Sequence, residues 1–277
     1  MTDGTNPEIG KSVMAAGRKT NYLEAGAGVP VILIHGSGPG VTAYANWRLT
    51  LPVLAEDFHV FAPDIAGFGY TEARADEDFS LDDWVGHLAG FIDAIGVATA
   101  HLVGNSFGGA LALAMAVRHP DRVSRLVLMG SVGVSFPLTP GLDAVWGYTP
   151  AEENMRRLIG LFAHDPALVS VEIVRSRYQA SLRPGVQEKY AAMFPAPRQR
   201  HIDRLASSVS DLGKLDLETL IIHGRDDQVI PLASSLTLNR LIDRSQLHIF
   251  GRCGHWTQVE QAARFCALVR AFLLEHV

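Results

Sequence analysis

Short apolar runs, each followed by a helical pattern, alternate along most of this chain. Val31-Ile-Leu-Ile34 and Val60-Phe-Ala62 are the first two, and Ala100 to Val103 and Val123 to Met129 follow. Leu220-Ile-Ile-His223 and Leu247 to Phe250 come near the end. None shows the apolar–polar alternation of a half-exposed strand, so both faces of each must be covered. Leu81 to Ile95 sets Trp84, Val85, Leu88, Phe91, Ile92 and Ile95 at helical spacing. A second helix runs from about Phe107 to His119 and is stopped by Pro120-Asp121. This alternation builds an α/β fold, a mostly parallel sheet flanked by helices.

The rhythm lapses from about Val134 to Asp211. Helical stretches occur there, Ala151 to Ala163 and Ala167 to Leu182, broken by Pro166, Pro184, Pro195 and Pro197. The segment reads as a helical insertion. Strand–helix alternation then resumes, with helices near Ala233 to Ile242 and from about Gln258 to Glu275. The first thirty residues are weakly patterned and suit one antiparallel hairpin. The expected organisation is a core of residues 1–133 and 212–277 with a helical lid, residues 134–211, inserted between its parts.

Length and composition agree. At 277 residues the chain suits one α/β domain carrying an insertion. Apolar residues make up 48% and charged residues 19%, which supports a large core and excludes disorder, collagen and coiled coil. Twenty-four Lys and Arg against 29 Asp and Glu leave a net charge of −5, with no basic run, which argues against a nucleic-acid partner. Cys253 and Cys266 are too few for a disulfide scaffold or zinc ribbon, so a reducing cytoplasm is expected. The opening MTDGTNPEIGKS has no apolar core of a signal peptide, and the longest apolar run, Ala110 to Val117, is too short for a bilayer. No membrane partner is expected.

The chemistry-bearing candidate is Gly104-Asn-Ser106-Phe-Gly108-Gly109, which joins a strand to a helix. Gly-x-Ser-x-Gly in that setting is a nucleophile elbow: small neighbours permit a tight turn that lifts the serine hydroxyl off the sheet. Ser106 then sits at a helix N-terminus, where peptide dipoles favour negative charge. The bland alternative is a glycine-rich structural turn, against which the flanking strand and helix weigh.

A serine hydroxyl needs a base. Eleven histidines compete. His35 belongs to the loop after an early strand, His119 caps the elbow helix, His223 ends a strand with its ring in the core, and His276 lies in the last turn. His255, in Gly251-Arg-Cys-Gly-His-Trp256, follows the last strand and is the candidate. The acid is expected at a strand end. Met129-Gly-Ser-Val132 has no carboxylate, whereas His223-Gly-Arg-Asp226-Asp227-Gln-Val-Ile-Pro231 offers two, and the residues alone favour neither. Asp64, after Pro63, reads as a turn residue.

His35-Gly-Ser-Gly-Pro-Gly40 lies where a second oxyanion donor belongs, and the donors would be the backbone N–H groups of Ser37 and Phe107. No Gly-Lys-Ser/Thr ending supports a phosphate cradle, and no His/Asp/Glu cluster has metal-ligand spacing. Neither metal nor cofactor is expected.

With these motifs in place, the chain resembles the α/β-hydrolase family over nearly its whole length. Within it, several strings look like the meta-cleavage product hydrolases: His35-Gly-Ser-Gly-Pro-Gly-Val41 with Ala45-Asn-Trp-Arg48, Ala62-Pro-Asp64 with Gly67-Phe-Gly-Tyr-Thr71, Val145-Trp-Gly-Tyr-Thr149, Met193-Phe-Pro195 with Pro197-Arg-Gln-Arg200, and Gly251 to Gln258. They are most similar to the 2-hydroxymuconic semialdehyde hydrolases. The resemblance implies an eight-stranded, mostly parallel sheet with the lid inserted after the sixth strand. It also implies hydrolysis of a carbon–carbon bond in the dienols left by ring-opening of catechols.

Residue by residue, the resemblance makes Asp227 the acid beside Ser106 and His255. Ser37 and Phe107 match the oxyanion donors, Asn46 and Asn105 the substrate-binding asparagines, and Trp256 the residue beside the histidine. Arg177 matches a lid arginine that holds the substrate carboxylate. By itself Arg177 reads as a surface charge on a helix; only the resemblance reverses that. A planar guanidinium suits a carboxylate bidentately. Leu142, Trp146, Ile202 and Val229 are expected to line the acyl pocket, and their bulk favours a small acyl group. The implied course is ketonisation of the dienol, then attack on the far carbonyl by Ser106 or by water. Relatives of this kind associate as dimers or larger. Two rivals use the same motifs: a carboxylesterase or perhydrolase, which has no need of Arg177, and a ligand receptor that kept the triad. Enzymes with an aspartate nucleophile are excluded by Ser106 at the elbow.

Overall fold

The computed structural model describes residues 6–74 and 77–275. His276 lies outside them. The eight strands are β1 (Lys11–Ala15), β2 (Arg18–Ala25), β3 (Val29–Ile34), β4 (Phe58–Pro63), β5 (Ala100–Asn105), β6 (Val123–Met129), β7 (Thr219–Gly224) and β8 (Ser245–Phe250). They form one sheet in the order β1-β2-β4-β3-β5-β6-β7-β8. From β4 to β8 every pairing is parallel, and β2 joins β4 antiparallel. The expected N-terminal hairpin is β1–β2, closed by Ala16 and Gly17 at φ 46° and 76°. Two positive φ values in a two-residue loop match the twist of the flanking strands.

The continuous apolar runs owe their form to position. β5 has all six residues buried, and so has β7. One face is covered by the helices Leu81–Ala94 and Phe107–Arg118, through Trp84, Leu88, Phe91, Leu111 and Met115. The other is covered by the helices Ala43–Trp47 and Ala262–Leu274, through Trp47, Phe265, Val269 and Phe272. Burying each such side chain contributes roughly 1.5–3 kcal/mol before chain entropy is counted.

The run between β6 and β7 holds more helices than periodicity predicts. Glu152–Phe162 matches the first expected stretch. The second divides: Pro166–Leu168 is a 3-10 turn, and a separate helix, Val171–Ser181, starts where Ser170 Oγ accepts from Ile173 N–H. Pro140–Trp146, Val186–Met193, Gln199–Leu205 and Val209–Leu212 are additional. Each is eight residues or fewer, too short for a period to declare itself. The expected last helix is likewise two, Thr257–Glu260 and Ala262–Leu274. Among the described residues no helix is long and apolar enough to cross a membrane.

Asp64 is more than the turn residue expected of it. It is fully buried at the end of β4. Oδ1 accepts from Ala43 N–H at 2.7 Å, and Oδ2 accepts from Asn21 Nδ2 at 2.8 Å and Tyr70 N–H at 2.9 Å. Burial raises its pKa to about 6 against the pull of these donors. Pro63-Asp64 looks like an ordinary turn in the sequence because two of the three donors, on Asn21 and Ala43, come from distant residues.

Candidate active site

Ser106 sits between β5 and the helix Phe107–Arg118 at φ 55°, ψ −115°. That is a costly backbone state for a residue with a Cβ, of order 1–3 kcal/mol, and the packing around it is unforgiving. A Cβ on Gly104 would lie 2.5 Å from the Gly108 carbonyl oxygen, and one on Gly108 would lie 2.4 Å from the carbonyl oxygens of Ile34 and His35. These glycines let helix and strand close on the serine. Phe107, next along, is the first residue of the helix. N–H groups in a first turn have no partner within the helix, so this one is available to an oxyanion.

The facing loop is held from beneath. The His35 ring is buried; Nδ1–H donates to Gly36 O at 2.8 Å and Nε2 accepts from Ile65 N–H at 3.0 Å. Burial lowers its pKa to about 4, so it is a neutral strut. Gly36 N–H donates to Asn46 Oδ1 at 3.2 Å, which fixes the backbone just before Ser37. Ser37 Oγ accepts from Trp146 Nε1 at 3.0 Å.

Of the two aspartates after β7, Asp227 meets the histidine. His255 Nδ1–H donates to Asp227 Oδ2 at 2.7 Å, and Asp227 Oδ1 accepts from Val229 N–H at 2.7 Å and Ile230 N–H at 3.0 Å. Burial alone would push the Asp227 carboxyl up, but the His255 charge and hydrogen bond, with His223 and Val229 N–H, hold it below the usual carboxylate range. Asp226 points elsewhere, accepting from Cys253 N–H at 3.3 Å with His164 3.7 Å away. His223 is in the core as expected, with Ser235 Oγ at 2.7 Å and Ile230 O at 3.1 Å. Gly130, at φ 50°, passes so close that a Cβ there would lie 3.2 Å from His255 Nδ1.

Ser106 and His255 open into one cavity of about 390 Å³. Ser37, Asn46, Asn105, Arg177 and Trp256 line it too. Asn105 donates to Met129 O at 3.3 Å, while Asn46 Nδ2 and Arg177 Nη1 are buried with no hydrogen-bond partner among the described residues. Both residues belong to the cavity wall, and a buried donor without a partner is costly to the fold. Arg48 shares the wall, its pKa lowered by partial burial and by the charge of Arg177.

Leu142, Trp146, Ile202 and Val229 are placed differently from expectation: all four are buried, but none is on the wall of this cavity. They belong to the large apolar cluster. Trp146 stacks on Phe194, centroids 4.5 Å apart, and reaches the site only through Ser37. Bulk and apolarity mark burial, and the core takes such residues as readily as a pocket wall does. The apolar wall is built instead by Met155, Ile159 and Phe162 of one helix and Leu168 and Ile173 beyond it. Their spacing, i, i+4, i+7, marks a buried helix face, but spacing cannot tell a cavity from a core. Phe162 stacks on Trp256 at 5.0 Å and on His255 at 5.8 Å.

Known proteins are similar to this chain in sequence and in fold. A sequence model of the alpha/beta hydrolase fold matches residues 29–262. The 2-hydroxymuconate semialdehyde hydrolase of Pseudomonas sp. (strain CF600) is 60% identical, the match covering 98% of this chain and 95% of that protein. A 2-hydroxy-6-oxo-2,4-heptadienoate hydrolase of Pseudomonas putida is 59% identical, covering 97% of each. The meta-cleavage product hydrolase CumD of Pseudomonas fluorescens IP01, solved as a point mutant with acetates, superposes with a TM-score of 0.96 at 59% identity over 97% of this chain and 98% of that one. The chain therefore belongs to the α/β-hydrolase fold family and, within it, to the meta-cleavage product hydrolases.

Proposed function

We propose that this chain hydrolyses the C5–C6 bond of 2-hydroxy-6-oxohexa-2,4-dienoates, the ring-fission products of catechols, giving 2-hydroxypenta-2,4-dienoate and a small carboxylic acid. One observation carries the reading most: Arg177, with a buried unpartnered Nη1, faces the same cavity as Ser106 and His255. An ester hydrolase needs the last two only. A dienoate also needs a cation for its carboxylate and polar donors for its 2-oxygen, and Asn46 and Asn105 are at hand.

Carbon leaves badly unless its electron pair is delocalised. In the reading proposed, Arg177, Asn46 and Asn105 hold the carboxylate and 2-oxygen while C5 gains a proton and C2 becomes a ketone. The C6 carbonyl oxygen lies toward the Ser37 and Phe107 N–H groups. Ser106 Oγ bonds to C6 as its proton passes to His255, whose positive charge Asp227 stabilises. The C5–C6 bond then breaks, and its pair runs through C3=C4 to the C2 oxygen as a dienolate. The proton held by His255 passes to this departing fragment, which restores the neutral imidazole. His255 then takes a proton from water as the water oxygen bonds to the acyl carbon, and returns it to Ser106 Oγ as the acid leaves. Helices of residues 134–211 act as the lid that brings Arg177 over the site.

The two relatives above carry names of substrates with hydrogen or methyl at C6, which supports a small acyl group here. We place the enzyme in the cytoplasm as a homodimer or larger assembly, which size-exclusion chromatography would check. The decisive assay is loss of colour from the ring-fission products of catechol, 3-methylcatechol and 3-isopropylcatechol. Bleaching that Ser106→Ala lacks supports the reading, and the ranking sizes the pocket. Hydrolysis of a nitrophenyl ester with no bleaching would replace it with an esterase. Binding without turnover of either would mean a receptor.

A further inference from the structure

The reaction described above makes no use of Glu8, yet Glu8 holds its substrate-binding cation. Oε1 accepts from Arg177 Nη2 at 3.1 Å. Oε2 lies 3.6 Å from Arg183 Nη1 and accepts from Tyr70 OH at 3.4 Å. The Arg183 guanidinium rests on the Tyr70 ring, 4.3 Å from its centroid. Glu8 is 14% exposed and Arg177 21%, so the pair is largely withdrawn from water. The backbone beneath is fixed as well. Glu8 O accepts from Asn21 Nδ2 at 2.9 Å, and Gly10 N–H donates to Asn21 Oδ1 at 3.0 Å. Asn21 is itself anchored on the buried Asp64 at 2.8 Å. A continuous chain of contacts thus runs from the sheet, through the N-terminal segment, to the lid helix Val171–Ser181.

An arginine side chain turns about four bonds, and holding its plane in one direction costs entropy. Glu8 occupies Nη2 from the side of the N-terminal segment, while Arg177 lines the cavity beside Ser106 and His255. We propose that Glu8 is a positioning residue: its carboxylate, shared between Arg177 and Arg183, aims the Arg177 guanidinium at the substrate carboxylate and ties the lid helix to the core. It touches no reacting atom. The inference rests on the dienoate reading of Arg177. A competing effect has the opposite sign. Glu8 also partly neutralises Arg177, so if charge alone mattered, removing Glu8 would tighten the binding of an anion.

The test is steady-state kinetics of Glu8→Ala and Glu8→Gln with the ring-fission product of 3-methylcatechol, beside hydrolysis of neutral 4-nitrophenyl acetate. Glu8→Ala should raise KM about tenfold with kcat within about threefold, because orientation of a bound group is lost rather than chemistry. Glu8→Gln keeps an acceptor for Nη2 and should recover most of the loss. Ester hydrolysis should be unchanged in both, and Glu8→Ala should add nothing to Arg177→Ala. A KM for Glu8→Ala that is unchanged or lower would overturn the proposal, as would an equal loss on the ester. If Arg177→Ala itself leaves dienoate turnover intact, the reading of Arg177 fails instead.

Discussion

Trp146 Nε1 donates a 3.0 Å hydrogen bond to Ser37 Oγ, joining a helix between β6 and β7 to the loop that carries a proposed oxyanion donor. The indole is buried and lies flat on Phe194, at an interplanar angle of 2°. Trp146→Phe keeps the stacking and deletes the bond. A neutral buried hydrogen bond contributes about 1 kcal/mol net, so kcat should fall about three- to tenfold with the dienoate and with a nitrophenyl ester alike. An unchanged kcat on both would show that the loop holds its place without the indole.

Asp227 and Asp226 stand side by side but serve different partners. Asp227→Asn leaves the shape intact and removes the acceptor that fixes His255 Nδ1–H, so kcat should drop by about three to four orders of magnitude, as in other triads of this type. Asp226→Asn affects only the turn around Cys253 and should stay within about fivefold. Comparable losses in the two variants would contradict this division.

Gly130 is a steric prediction. At φ 50° a side chain is strained, and a Cβ would stand 3.3 Å from His255 Cε1 and 3.4 Å from Asp227 Oδ2. Gly130→Ala should weaken the His–Asp hydrogen bond and cost about tenfold or more in kcat, the usual penalty for a small displacement of a reacting group. The downfield proton resonance of the His255–Asp227 pair should shift or broaden in parallel. Wild-type kinetics with an unmoved resonance would show that the loop yields freely.

Buried histidines weaken the fold in acid. Burial lowers His35 to about 4, His87 to about 3 and His101 to about 4, from an ordinary value of 6.5. Between these values and 6.5 the unfolded chain binds protons that the folded chain refuses. Stability is therefore full above pH 6.5 and declines as pH falls toward 4. Asp64, raised to about 6, works in reverse, favouring the fold at low pH and losing that contribution as pH rises through 6. His101 is the simplest test, since among the described residues its ring bonds to Ser124 Oγ at 2.8 Å. In His101→Gln the loss of Tm between pH 7 and pH 4.5 should be smaller than in the wild type, by the equivalent of about 2 kcal/mol. Parallel Tm curves would remove His101 from the account.

Local order and long-range order divided the work. The apolar runs of β5 and β7 and the elbow at Ser106 could be read along the chain, because each is a property of a few neighbours: an apolar run, small residues around a serine. The first thirty residues suggested a hairpin, but its turn at Ala16-Gly17 was located by the structure. The helices after β6 were only partly legible, since one or two turns carry too little periodicity and prolines interrupt them. Asp64 passed for a turn residue because two of its donors, on Asn21 and Ala43, lie in other parts of the chain.

By itself the sequence determined that the chain folds around a covered sheet and presents Ser106 at its edge with His255 after the last strand. Its family strings determined the kinship with meta-cleavage product hydrolases. The residues by themselves left Asp226 and Asp227 open and the family strings pointed to Asp227, which the tertiary structure places against His255. Only the tertiary structure decided that Phe162 rather than Leu142 faces the cavity. Only there, too, does Glu8 meet Arg177 across 169 residues of chain. The reason is physical: periodicity reports that a side chain is buried, and small residues report that a turn is tight, but neither names the distant group that does the covering.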